Sequence, residues 1–117
     1  MSYDIEFGVK VENVDKIMPF TAPEYASPTY NIGEMLRKAT GWDFEQGKWY
    51  RVSDVFEKIS KGHINLSKNK EEYRKYEPEN KWGTVETAIK ALQSILEKIE
   101  DIEKWFELTK DHFYMRW

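Results

Sequence analysis

Thr84-Val85-Glu86-Thr87-Ala88-Ile89-Lys90-Ala91-Leu92-Gln93-Ser94-Ile95-Leu96-Glu97-Lys98-Ile99-Glu100-Asp101-Ile102 places an apolar residue at every third or fourth position. Val85, Ala88, Ile89, Leu92, Ile95, Leu96, Ile99 and Ile102 therefore share one stripe of a helix, which runs on towards Trp105 or Phe106 for about six turns. Thr84 stands at the N-cap position. Lys90, Gln93, Glu97, Lys98, Glu100 and Glu103 are expected on the opposite, solvated face. A stripe of this length must be covered, so the helix is the scaffold on which the rest of the chain packs.

Working outward, the tail Phe113-Tyr114-Met115-Arg116-Trp117 alternates and favours a strand. At the other end Tyr3, Ile5, Phe7, Val9 and Val11 alternate with polar residues and glycine, the period of a half-buried strand. Glu12-Asn13-Val14-Asp15 supplies a turn, and Lys16 to Thr21 returns as a second strand that Pro19 confines to an edge. After a loop over 22–30, Asn31 reads as an N-cap with Glu34 three residues on, and Gly41 suits the left-handed end of that helix. Val52, Val55, Phe56 and Ile59 have helical spacing, with Ser53 as a cap and Gly62 as a stop. Ser67 caps a polar helix that Pro78 ends. The order β-β-α-α-α-α-β predicts an α+β fold: a small antiparallel sheet, formed by the N-terminal hairpin and the C-terminal strand, packed on a helical layer with one long C-terminal helix. Residues 1–117 are expected to form a single domain.

Composition narrows the function. The net charge of −3 argues against broad, phosphate-driven binding to DNA or RNA. The chain has no cysteine, which excludes thiolate chemistry and suits a reducing compartment. No secretory leader or membrane span is expected from the residues present. Phosphate-binding, metalloprotease and nucleophile-elbow motifs do not occur. His63 and His112, the two histidines, lie far apart in sequence, and Glu79-Asn80-Lys81, a fragment of a nuclease metal motif, sits in a loop next to Pro78. No enzyme, cofactor or metal site is expected.

What remains is a set of polar and aromatic loops. Ser27, Thr29, Tyr30 and Asn31 crowd the start of the first helix, where free N–H groups can hold a phosphate or ribose. Arg37 follows on the same helix, and Trp42, Trp49, Tyr50 and Trp82 lie in irregular segments where rings can stack on a base. The bland alternative is that Asn31 only caps and the rings only seal the core edge.

The blocks Ser27-Pro28-Thr29-Tyr30-Asn31-Ile32-Gly33-Glu34-Met35-Leu36-Arg37-Lys38, Trp42-Asp43, Gln46-Gly47, Tyr50, Trp82-Gly83-Thr84 and Tyr114-Met115-Arg116-Trp117 resemble a group of small uncharacterised proteins encoded by phages and prophages of Firmicutes. The likeness covers most of the chain. It implies a setting, a phage protein in the host bacterial cytoplasm, rather than a reaction. In that setting two non-catalytic, counter-defence functions are expected. One is sequestration of a small, cyclic or linear nucleotide immune signal by Ser27, Thr29, Tyr30, Asn31, Arg37, Trp42, Trp49, Tyr50 and Trp82. The other is inhibition of a host defence protein such as a CRISPR effector, through an acidic-aromatic face using Glu97, Glu100, Asp101 and Glu103. The first is preferred because the polar cluster is local and Lys90, Lys98 and Lys104 interrupt the acidic face. A homo-oligomer is compatible with a small sheet that leaves its edges open.

Overall fold

The computed structural model describes residues 5–11, 16–20, 32–79 and 83–117. Four strands form one antiparallel sheet: β1 (Glu6–Lys10), β2 (Ile17–Phe20), β3 (Tyr50–Arg51) and β4 (Tyr114–Arg116), in the order β2-β1-β4-β3. Pro19 indeed lies on an edge strand, opposite Gly8. The C-terminal strand is central, pairing Phe7 with Met115 and Tyr50 with Met115. The added strand β3 has two residues, too few for any period to be visible in sequence.

The helices are α1 (Gly33–Thr40), α2 (Val52–Lys68), α3 (Lys70–Tyr73), continued by a 3-10 turn over Arg74–Tyr76, and α4 (Val85–Trp105). A second 3-10 turn, Lys110–His112, leads into β4. Phe7, Met115 and Phe113 pack beneath the apolar faces of α1, α2 and α4, with Met35, Leu36, Ile59, Leu92, Ile95 and Ile99 fully buried among them. None of the helices among the described residues is long and apolar enough to cross a membrane.

Several local expectations change. Thr84 caps α4 as expected, its hydroxyl accepting from the Thr87 N–H at 3.2 Å, and Gly41 ends α1 with φ 67°. Gly62 does not stop a helix. It sits in mid-α2, where a Cβ would collide with Thr40 Cγ2 and lie 3.2 Å from Leu92 Cδ1, so glycine is there to let α1 and α4 approach. Ser53 lies inside α2, whose cap position is the extended Arg51, and the next helix begins after Asn69 rather than Ser67. Lys98 is not on the solvated face of α4; it is 3% exposed. His63 is half-buried in mid-α2, and His112 closes the 3-10 turn ahead of β4 with its Nδ1 2.6 Å from Thr109 Oγ1.

Arg74 clasps this end of the molecule. Its guanidinium donates to Glu71 at 3.2 Å, to Glu77 at 3.0 Å and to both oxygens of Glu86 at 2.9 Å, while Glu77 accepts from the Val85 N–H at 2.9 Å. The first free amide of α4 is thus satisfied by a carboxylate that Arg74 holds in place. Glu77 is extended, as a residue before proline must be.

Candidate functional site

The expected ligand residues divide three ways. Ser27, Thr29, Tyr30, Asn31 and Trp82 lie outside the described residues. Trp42 and Tyr50 are packed inward. Trp42 is 4% exposed, with Tyr50 edge-on at 4.9 Å, Phe44 edge-on at 5.4 Å and Trp117 at 5.8 Å. Phe44 in turn stacks on Trp117 at 4.2 Å. The Tyr50 hydroxyl accepts from the Glu45 N–H at 2.8 Å. These rings wall off the core where α1 gives way to β3, which is why an irregular segment carries so many aromatics.

Trp49 points to the other side of the sheet. Its ring lies against Gly8, where a Cβ would meet Trp49 Cη2 at 3.0 Å, and Arg116 covers it at 4.5 Å. Arg116 is anchored by Glu6, with contacts of 3.0 and 2.6 Å to one carboxylate oxygen. Beside it Arg51 lies over Tyr114 at 5.7 Å and donates to its hydroxyl at 3.3 Å, which raises the Arg51 pKa.

Arg37 lies on the outer side of α1. Its guanidinium covers the Phe44 ring at 4.2 Å, its Nε donates to the Phe44 carbonyl at 3.1 Å, and Asp43 lies 3.8 Å away. With Glu34, Lys38, Gly41 and Asp43 it lines an open depression of ≈ 500 Å³. Two cations and two carboxylates balance there. Among the described residues, no group of three or more His, Asp and Glu side chains is placed to hold a metal ion.

A second region emerges at the C-terminal end of α4, where the sequence pointed to Glu97, Glu100, Asp101 and Glu103 but placed Trp105 and Phe106 on the buried stripe. Trp105 is 74% exposed and Phe106 54%. Phe106 meets the ring of Phe20 on the edge strand at 5.3 Å, and Met18, on the same side of β2 as Phe20, is 56% exposed. The stripe of α4 ends at Ile102 because the helix itself ends at Trp105; the chain then turns at Glu107 with φ 53°. Glu97, Glu100, Asp101, Lys104 and Glu107 are exposed along the last turns of α4 and just after it. Lys104 sits 5.8 Å over Trp105, and Glu103 is taken by Lys110 at 3.0 Å from both oxygens.

The burial of Lys98 alters the electrostatics. Its ammonium has no hydrogen-bond partner among the described residues. Burial lowers its pKa from the usual 10.5, and the nearby Asp101 opposes that shift. One of the three lysines expected to interrupt the acidic face is therefore withdrawn from it.

The chain matches no known family model, no curated protein and no solved structure.

Proposed function

We propose that this chain is a non-catalytic binding protein that presses the C-terminal end of α4 against a basic surface of another protein. In the phage setting that the sequence resembles, the partner is a host defence effector whose nucleic-acid channel supplies the lysines and arginines, and the binding takes place in the host cytoplasm. The observation that carries this reading is the exposure of Trp105 and Phe106, the latter against Phe20, at the end of a helix whose exposed residues include Glu97, Glu100 and Asp101 and which Glu107 follows. Large exposed rings gathered in one place are the usual anchors of protein interfaces, and an acidic rim both selects a basic partner and repels phosphate.

Sequestration of a small nucleotide is the second reading, favoured by the depression that Arg37 and Lys38 line. Its weaker point is that Arg37 is already committed to Phe44 and that Glu34 and Asp43 offset the cations.

The test is phage plating on a Firmicute host with intact defences, with and without expression of the protein. Trp105→Ala/Phe106→Ala is expected to abolish protection while lowering the melting temperature by only a few degrees, because Trp105 is mostly in solvent and Phe106 gives up one ring contact with Phe20, about 1 kcal/mol. Full protection by that variant refutes the reading. A nucleotide that raises the melting temperature of the wild type but not of Arg37→Ala transfers support to sequestration.

A further inference from the structure

A groove of ≈ 450 Å³ lies between α2 and α4. Half-buried Phe56 and Leu96 line it, exposed Glu97 and Glu100 stand along it, and Glu103 with Lys110 completes it. Lys110 shows what this lining accepts. Its ammonium rests 4.4 Å over the Phe56 ring and is held by both Glu103 oxygens at 3.0 Å. A cation on an aromatic face with a bidentate carboxylate is a strong arrangement, and a long basic side chain can lay its methylenes on apolar surface while its head stays charged. Glu97 receives a 3.3 Å hydrogen bond from Gln93, and Glu100 has no ion-pair or hydrogen-bond partner among the described residues.

We propose that this groove receives a lysine or arginine side chain of the partner protein, its stem across Phe56 and Leu96 and its charge between Glu97 and Glu100, with Lys110 serving as a resident imitation of that side chain at the Glu103 end. The proposal rests on the protein-binding reading and names the partner's contacting chemistry. Charge complementarity selects the occupant: the carboxylates demand a cation, and the apolar lining demands a stem longer than a metal ion offers.

The experiment is an amide NMR titration of the intact protein with acetylated, amidated tri-arginine, alongside tri-glutamine and spermidine. Saturable shifts centred on Phe56, Leu96, Glu97 and Glu100 are expected for tri-arginine alone. Glu97→Gln/Glu100→Gln should raise the Kd at least fivefold, whereas the equally charge-altered Glu34→Gln/Glu72→Gln should not. Lys110→Ala, which frees Glu103, should lower the Kd severalfold. Shifts spread over all acidic surfaces, equal loss in the two double variants, or tighter binding of spermidine than of tri-arginine would overturn the proposal. The two readings fail separately: peptide binding in the groove with protection unaffected by Trp105→Ala/Phe106→Ala defeats only the partner reading, and protection that survives Glu97→Gln/Glu100→Gln but not the aromatic variant defeats only the groove.

Discussion

Gly62→Ala offers a sharp perturbation because two physical effects predict opposite signs. In an exposed helix interior the change stabilises by about 1 kcal/mol, since glycine is the poorer helix former. Here the new methyl would collide with Thr40 Cγ2 and lie 3.2 Å from both Thr40 Cα and Leu92 Cδ1. Thr40 cannot rotate away freely. Its hydroxyl donates to the Leu36 carbonyl at 2.7 Å and accepts from the Trp42 N–H at 3.2 Å, and each such bond contributes about 1 kcal/mol. The remaining escape is to part α1 from α2, an overpacking cost of about 1–3 kcal/mol. Net of helix propensity, Gly62→Ala should destabilise by up to about 2 kcal/mol and lower the melting temperature by up to about 8 °C. Thr40→Ser removes the clashing methyl and keeps the hydroxyl. Alone it should cost about 1 kcal/mol for the lost buried methyl. In the Gly62→Ala background it should cost nothing or restore stability. Urea denaturation of the four proteins in this cycle measures the coupling. A Gly62→Ala protein at least as stable as wild type, or effects that add to within about 0.5 kcal/mol, refutes the account of the helix crossing.

Trp42→Ala should cost about 3–5 kcal/mol and lose near-ultraviolet circular dichroism, since the ring is buried against Tyr50, Phe44 and Trp117; a cost below about 1 kcal/mol contradicts that packing. Lys98→Met should stabilise by about 1 kcal/mol near neutral pH by removing a buried, unpaired ammonium. Because the folded-state pKa of Lys98 lies below 10.5, the folded protein releases this proton first, so wild type should gain on the variant as pH rises towards 10.5; parallel denaturation midpoints at pH 7 and pH 10 would show the charge is not penalised. Arg74 lowers the Glu86 pKa to about 2. Its contribution is therefore present above 4.5 and lost as pH falls towards 2, so Glu86→Gln should melt below wild type at pH 7 and together with it near pH 2; a gap independent of pH removes the clasp from the stability of the fold.

Much of the fold is legible from periodicity and punctuation. The period-two N-terminus, the long stripe with Thr84 ahead of it and Gly41 past α1 each combine local propensity with burial, and each has its expected place. Pairing order is a tertiary property, so the central position of β4 has no local sign. Gly62 misleads because a helix-ending glycine and a helix-crossing glycine look the same in one sequence; only the proximity of Thr40 separates them. Lys98 flanks the stripe between Ile95 and Ile102, and its burial depends on what packs there rather than on its own chemistry. At the site, Trp42 illustrates why an irregular segment is a poor guide to exposure, since a loop that closes a core must bring its own apolar cover. Trp105 is the converse: it continues an apolar pattern by spacing, yet the helix stops before anything covers it.

The pairing of Glu6 with Arg116 brings residues 110 apart in the chain into direct contact at the middle of the sheet. Closing so long a loop is entropically slow and must precede the reward of the central ladder. It also means that the far ends of the described chain are only about one inter-strand spacing apart, about 5 Å. A circular permutant that joins them through a short glycine-rich tether and opens the chain in a surface turn would convert the most remote contact of this fold into a hairpin. Such a rearranged protein should refold faster than its parent while keeping the same native contacts.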